Sequence, residues 1–442
     1  MRARPARPPA GARRRRTTDG PARPFGRSIA PAPQLDKVSD HRSLYYVTLA
    51  IFTELDLFRR FEIPFETFGR FMAAVEHEYK WSSNTYHNDI HAADVTHSSF
   101  LFMMGGLAHA LTPLEQLSLV LAAVIHDLGH PGVNNDFLIK IGSEVALAHN
   151  DQSVNENNHL TRAFRLLRQE DKNILAGLPR EQAAEVRSLM IGMVLATDMA
   201  RHHEVIHKFE TCTARSGTSF AAWSAADRQV ALQLTLHCAD IGNQTKPLHQ
   251  SKQWTTRVME EFFNQGDLER RLEMPVSATC DRSSVVVANA QVFFIDLVVR
   301  PALKIFFGLE NPCEATCMRN LDVCQTSWAE VAEATANDRR SGRGGGAKKK
   351  KRGGGGADAS ASNDDGDETS TDCNGDADDD KGKQRTYLSP TSAALLERAT
   401  TSKLLRPADK KKKKDKKKEA EGAQEGNGRP PPRKQRRKAG GR

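Results

Sequence analysis

The chain has 442 residues, enough for one large core or two modest ones. Its formal net charge is +9, but Arg2, Arg4, Arg7, Arg13 to Arg16 and the lysine runs of the tail crowd into the two ends, so the charge does not point to a nucleic-acid substrate for the middle. No apolar run reaches the ~18 residues that span a bilayer, the start lacks the apolar core of a secretory signal, and seven cysteines without a CxxC read as reduced thiols.

Residues 1–40 are rich in Pro, Arg and Ala and offer little to bury, so disorder is the plain reading, with organelle targeting left open. From residue 43, apolar residues recur at helical spacing in LYYVTLAIFTELDLFRRF, and again around Pro64 in IPFETFGRFMAAVEHEY. Pro64 suits a helix start, where its missing N–H costs nothing. Residues 79–88 read as a loop of Ser, Asn and Tyr, and 92–109 as a long apolar segment containing Gly105 and Gly106. Thr112, Pro113 and Glu115 mark a helix start: an N-cap, a first-turn proline and an acid at the third position. The helix that follows, LEQLSLVLAAVIHD, is apolar on nearly every face and should be the central buried one. His126 and Asp127 at its end stand out, because an unpaired buried carboxylate is costly and coordination removes that cost.

Pro131 and Gly132 end that helix, and an Asn-rich neighbourhood follows. Helical patterns resume in HLTRAFRLLRQ, over 180–209, and in AADRQVALQLTLHCADIG. Residues 254–263 form an amphipathic helix and 266–281 a long connection. VVVANAQVFFIDLVV is β-branched, but no partner strand is evident, so it reads as a helix, and a weaker helix covers 322–338. From residue 341 the chain is low-complexity, with Gly, Lys and Asp runs, and only YLSPTSAALLERATTSKLL could form a short helix. The expected organisation is a disordered segment at 1–40, one mostly helical domain at 41–340, and a disordered charged tail at 341–442.

Three segments feed one candidate site. His87 and His91 are four apart, as are His126 and His130; if both segments are helical, each pair shares a face. Asp127 follows His126, and Asp240 ends an apolar helix as Asp127 does. His91, His126, Asp127 and Asp240 would fill one metal site and leave room for water acidified for attack on phosphorus. Imidazole with carboxylate suits zinc, and a carboxylate-rich neighbour site suits magnesium or manganese. His87 would then be free to protonate a leaving alkoxide. A single histidine on an apolar helix is ordinarily a satisfied core residue; the company these keep argues for ligation. His97, His109, His202, His203, His207 and His249 lack such company, while His149 and His159 are candidates to line the site. The basic tails read as solubilising segments or as contacts for nucleic acid, an acidic membrane surface or an import receptor. GRGGG is no phosphate loop, since no Lys-Ser/Thr and no helix follow it.

Taken in order, YHNDIHAADV at 86–95, HDLGHPGVNN at 126–135, the ND, SV and EN pairs across 150–157, VLATDM at 194–199, HCADIGNQTKP at 237–247, EEFFNQGD at 260–267 and QVFFID at 291–296 resemble the class I 3′,5′-cyclic nucleotide phosphodiesterases. The resemblance covers about 43–340 and implies an all-α, compact multi-helix fold of the HD-type metal phosphohydrolases. It implies hydrolysis of a cyclic nucleotide to the 5′-monophosphate with two divalent metals. Zinc would be held by His91, His126, Asp127 and Asp240, and magnesium or manganese by Asp127 and by waters anchored on His130, Glu156 and Thr197. His87 matches the general acid and Glu261 the carboxylate that orients it. Gln291 matches the glutamine that hydrogen-bonds the purine edge, Phe294 and Val258 the clamp on the base, and Asn243, Met199, Met259 and Phe262 further pocket positions. Asn243 tilts the expectation towards cAMP over cGMP. Phe100 stands where many members have histidine, Asn158 replaces another histidine, and Gly129 stands where relatives often carry an acid.

Two rival functions remain on the sequence alone: a cyclic nucleotide sensor with an impaired site, and a scaffold or nucleic-acid-associated protein acting through its basic tails. A homodimer is left open, and the expected location is cytoplasmic, with nuclear or membrane-peripheral placement through the tails left open.

Overall fold

A computed structural model describes residues 32–309 and 311–344; the expectations for 1–31 and 345–442 lie outside the described residues. Helix α1 (Ala32–Val38) falls inside the stretch assigned to disorder. Its Asp36 is buried and takes a contact from His41 Nδ1 at 2.8 Å, so ordered structure begins upstream of residue 41. Helices α2 (Ser43–Glu54), α3 (Leu57–Arg60) and α4 (Phe65–Lys80) follow the apolar periods, with Pro64 at the N-cap of α4. Phe52, Phe58 and Phe68 join them, with ring centroids 4.9 to 5.4 Å apart.

Helix α5 (Asp89–Phe102) starts where the Asn88 side chain accepts from the amides of Ile90 and His91. It runs on as a widened π turn over Met103–Leu107. A Cβ on Gly105 would lie 2.2 Å from Asn311 Oδ1, and Asn311 Nδ2 donates to the Phe102 carbonyl at 2.9 Å. Gly105 thus makes room for a side chain that satisfies a carbonyl at the widened turn.

Helix α6 (Pro113–Ile125) carries the expected capping box, with Thr112 and Glu115 bonding each other's backbone N–H. Every residue from Leu114 to Ile125 is buried. Fully burying one Leu, Ile or Val side chain contributes about 1.5–3 kcal/mol, so this helix anchors the core. Tyr79 fixes its C-terminal end: its hydroxyl donates to the Val124 carbonyl at 3.1 Å and accepts from the Asp127 amide at 3.2 Å.

Helices α7 (Asn135–Lys140), α8 (Glu144–Ala148) and α9 (Val154–Leu167) form a smaller apolar cluster with Leu268 and Leu272. The pattern at 180–209 is not one helix. It divides into α10 (Arg180–Leu195) and α11 (His202–Ser216). Asp198 is the cause: its carboxylate accepts from the Ala200 amide at 2.9 Å and from the Ser153 hydroxyl at 2.7 Å, replacing helical bonding with local turns.

Helix α12 (Ala225–Asp240) is capped by Ser224. Helix α13 (Leu248–Arg271) extends well beyond the expected 254–263, and Gly266 lies inside it rather than starting the connection. A Cβ there would meet the Cys280 carbonyl oxygen at 1.9 Å, so the glycine serves close packing of the following loop. The β-branched run is helical, as α14 (Val287–Phe294), a π turn (Ile295–Val299) and α15 (Arg300–Phe306). Pro301 cannot donate within the helix, and the widened turn precedes it. Helix α16 (Glu314–Gly344) starts earlier than expected because Cys317, Leu321 and Cys324 bury an upstream face. The described residues contain no strand, and no helix among them is long and apolar enough to cross a membrane.

Candidate active site

The expected four-residue set converges. His91 comes from the first turn of α5, His126 and Asp127 from the end of α6, and Asp240 from the end of α12. His91 Nε2 lies 3.1 Å from Asp240 Oδ1 and 3.5 Å from Asp127 Oδ2; His126 Nε2 lies 3.0 Å from Asp127 Oδ2 and 3.4 Å from Asp240 Oδ1. One ligand atom from each of the four falls within 4.8 Å of the others. The two i,i+4 histidine pairs do not share helix faces, however. His87 precedes the N-cap of α5, and His130 lies beyond the turn that closes α6.

The donor set fits a divalent cation. His126 Nδ1 donates to the Ala123 carbonyl at 2.9 Å, which leaves Nε2 with its lone pair facing the cluster. That Nε2 and Asp127 Oδ2 are buried without an aligned hydrogen-bond partner. Two carboxylates packed out of water also need a positive partner. Burial alone would raise the Asp127 and Asp240 carboxyls, yet the adjacent His126 imidazole holds both well below the usual carboxylate range. Burial in turn disfavours the His126 imidazolium, and Asp127 and Asp240 push its pKa well above the usual value. A dication supplies the same positive charge without borrowing a proton.

A second cluster, His87, His130 and Glu261, sits beside the first. Glu261 Oε1 takes a short contact from His87 Nδ1, while Oε2 accepts from the amides of Tyr86 and His87 at 2.9 and 3.1 Å. Burial lowers the His87 pKa, but the Glu261 carboxylate outweighs it and raises it to about 9. Burial likewise opposes ionisation of Glu261, and His87 brings it down to about 2. The His130 ring stacks on His87 at 4.0 Å; burial and the His87 charge keep it neutral, well below its ordinary pKa. His130 Nδ1 accepts from the Gly132 amide at 3.0 Å, so its proton sits on Nε2.

The remaining polar positions are less tightly joined. Glu156, in the first turn of α9, accepts from Asn135 Nδ2 at 3.0 Å. Burial and then Asp198 raise its pKa to about 7, and Asp127 adds to the shift. Thr197 is buried and donates to the Val194 carbonyl at 2.8 Å, which leaves only its oxygen lone pairs to accept. His159 lines the site, with Nε2 3.7 Å from Asp127 Oδ1 and Nδ1 donating to Leu128; burial lowers its pKa to about 4. His149 caps the C-terminus of α8 and contributes nothing to the cluster. His202 does have company, because its Nδ1 lies 2.8 Å from His237 Nε2 in the core. Gly129 has φ +72°, and a Cβ there would meet Arg162 Cδ at 2.6 Å, so a side chain at this position would be strained.

A cavity of ≈ 190 Å³ opens beside the ligand cluster, with His87 and Asp240 in its wall. All seven expected pocket residues line it: Met199, Asn243, Val258, Met259, Phe262, Gln291 and Phe294. Asn243 donates from Nδ2 to the Tyr86 hydroxyl. The reading of the residues missed Tyr86, Ile241, Gln244 and Thr255, which line the same cavity. Gln244 carried a signal: it is polar, adjoins Asn243, and sits in a motif already singled out.

A model of the family described as 3′5′-cyclic nucleotide phosphodiesterase matches residues 86–321. A probable 3′,5′-cyclic phosphodiesterase, pde-1, of Caenorhabditis elegans is 41% identical over 273 residues, which are 62% of this chain and 40% of that protein. The dual specificity calcium/calmodulin-dependent 3′,5′-cyclic nucleotide phosphodiesterase 1B of Mus musculus is 39% identical over 272 residues, 61% of this chain and 50% of that one. The chain thus spans half or less of the length of these curated relatives. Among solved structures, the phosphodiesterase domain of the RhoPDE fusion protein from the choanoflagellate Salpingoeca rosetta superposes with a TM-score of 0.63 at 31% identity, covering 66% of this chain and 92% of that one. The phosphodiesterase domain of the Salpingoeca rosetta rhodopsin phosphodiesterase gives 0.64 at 29% identity, covering 71% and 98%.

Proposed function

The chain belongs to the 3′5′-cyclic nucleotide phosphodiesterase family, and from that premise we propose that it hydrolyses 3′,5′-cyclic nucleotides to nucleoside 5′-monophosphates. The observation that carries this reading is the pair of buried ligand atoms without aligned partners, His126 Nε2 and Asp127 Oδ2, in a four-donor cluster that adjoins a cavity. His91, His126, Asp127 and Asp240 would hold zinc. Asp127 would share a second ion, magnesium or manganese, with waters anchored by His130, Glu156 and Thr197. When bound, the metals supply Lewis acidity, which acidifies the attacking water and offsets charge developing on the phosphoryl oxygens.

The chain's own groups do the rest. Glu261 orients the His87 ring through Nδ1 and keeps it cationic at neutral pH, leaving Nε2–H to donate to the departing O3′. The Glu261 bonds to two successive backbone amides fix the segment that carries His87, so the acid is placed before substrate arrives. Phe294 and Val258 bound the base on its two faces, and Gln291 meets its polar edge. Asn243 donates one Nδ2–H to Tyr86, and with its Oδ1 turned to the base it would accept from the exocyclic amine of adenine, the basis on which cAMP is taken as the favoured substrate.

The impaired-sensor alternative is disfavoured by the complete donor set and the charged His87–Glu261 pair. The test is product identity. Full-length chain supplied with divalent metal should release 5′-AMP from cAMP, and more slowly 5′-GMP from cGMP. Binding of both nucleotides without release of either product would establish the sensor instead.

A further inference from the structure

The four ligand side chains issue from helices or their closing turns, whereas His87 and His130 stand on two separate loops, one before α5 and one after α6. Their rings nevertheless stack at 4.0 Å. One side chain joins the two loops. Asn84 Nδ2 donates one hydrogen to the His87 carbonyl at 3.0 Å and the other to the His130 carbonyl at 2.8 Å. These partners fix the orientation of the amide, since the flipped group would set Oδ1 against two carbonyl oxygens. Gly132 makes room for it: φ there is +76°, and a Cβ would lie 2.6 Å from Asn84 Oδ1. The segment that bears Asn84 is itself tied down. Asn88 Nδ2 donates to the Asn84 and Thr85 carbonyls at 3.0 and 3.3 Å. Thr85 Oγ1 donates at 3.0 Å to the carbonyl of Arg257, one turn before Glu261 on α13. On the other loop, the His130 amide donates to the Asp127 carbonyl at 3.0 Å.

We infer that Asn84 is a positioning residue for the proton donor: it pins the His87 main chain to the His130 turn, and so sets the distance of His87 from the ligand cluster. This rests on the reading of His87 as the general acid. Glu261 takes the ring and the amide of His87, which fixes the tilt and charge of the imidazole. Asn84 takes the carbonyl and ties it to a turn that starts from Asp127. The two holds are complementary, one reaching from α13 and one from the end of α6. A displacement at phosphorus needs the proton donor at a fixed separation from the attacking side. A misplacement of about 1 Å can cost ~10²-fold in rate. Neither loop has helical bonding to keep that separation, and the Asn84 amide supplies the link.

The test is a double-mutant cycle on the full-length chain, read by kcat and KM for cAMP with metal content measured on the same samples. Asn84→Leu keeps the branched outline and removes both donors. It should lower kcat about 10- to 100-fold, while KM stays within about 2-fold and metal content is unchanged. Asn84→Asp sets an oxygen against both carbonyls and should lose more. Asn84→Ala decides if the leucine variant does not fold. The second side of the cycle places Asn84→Leu in the His87→Ala background. A residue that acts through His87 has nothing left to position there, so kcat should fall by less than about 2-fold. A fall as large as in the wild-type background would make Asn84 a structural residue and overturn the inference. Folded Asn84 variants with wild-type kcat would overturn it too, and both results leave the cyclic nucleotide reading standing. If His87→Ala alone matches the wild type, the general-acid reading falls and this one with it. A wild type that turns over neither nucleotide defeats the cyclic nucleotide reading itself, and this inference with it.

Discussion

Replacing Glu261 by glutamine separates the charge of the His87–Glu261 pair from its shape. Oε2 of the carboxylate accepts from two backbone amides at 2.9 and 3.1 Å, and Oε1 faces His87 Nδ1. Glutamine keeps an oxygen for the amides and turns its NH₂ to the ring. The segment stays in place and only the negative charge is lost. Burial, which already works against the imidazolium, is then opposed only by Asp127 and Asp240, and the His87 pKa falls from about 9 towards its ordinary 6.5. At an assay pH of about 7.5, a group of pKa 6.5 is protonated roughly one time in ten. Loss of the carboxylate's hold on the ring orientation adds to this and takes the loss towards ~100-fold. Turnover of cAMP should therefore fall about 10- to 100-fold, within the range of one general acid, with metal content unchanged. The sign of the pH effect follows. In the wild type the acid is loaded below its raised pKa, and activity is lost as pH rises through about 9; in the variant that basic limb moves to lower pH. The same shift stabilises the wild-type fold fully below pH 6.5, and that stabilisation is lost as pH rises through about 9. Initial rates across pH, with metal content measured on the same samples, make the comparison. A variant with wild-type metal, wild-type kcat and an unmoved basic limb would refute the acid role of His87.

Asp127→Ala and Asp240→Ala should each abolish tight metal loading and turnover together, read by metal content and product release; either variant retaining both would remove its residue from the ligand set. His87→Ala should bind metal normally and lose about 10²-fold or more in turnover, and near-normal rates would exclude it as the acid. Tyr79→Phe deprives the Val124 carbonyl of a donor and the Asp127 amide of an acceptor; denaturant melts should show a cost of about 1–3 kcal/mol and metal titration a weaker site, whereas an unaltered melt would show these bonds to be dispensable. Gly266→Ala drives a Cβ to 1.9 Å from the Cys280 carbonyl oxygen, so thermal unfolding should move to clearly lower temperature, and an unshifted midpoint would mean the loop yields freely.

The parts of the molecule that were legible in advance rest on local chemistry. The Thr112–Glu115 box and the all-apolar run after it place α6 correctly, because capping and burial are written in adjacent residues. That His91, His126, Asp127 and Asp240 come together was legible because buried carboxylates beside histidines need a positive partner. The failures arise where a distant group decides. Asp198 breaks the helical run at 180–209 through a bond to Ser153, which no local pattern reveals. Gly266 looked like the start of a loop because the Cys280 carbonyl that demands it folds back from the connection after α13, a contact that no adjacent residue announces. The symmetry of the two histidine pairs was misleading for a related reason: each helix boundary falls between its two members, so His87 and His130 gather with Glu261 in a cluster beside the four-residue set.

The central claim is that catalysis runs through a divalent metal held by His91, His126, Asp127 and Asp240. The direct test strips the full-length chain with chelator and measures 5′-AMP released from cAMP as divalent metal is titrated back. Turnover should be absent in the stripped chain and recover saturably with metal bound. Full turnover in the stripped chain, or none at full loading, would contradict the account.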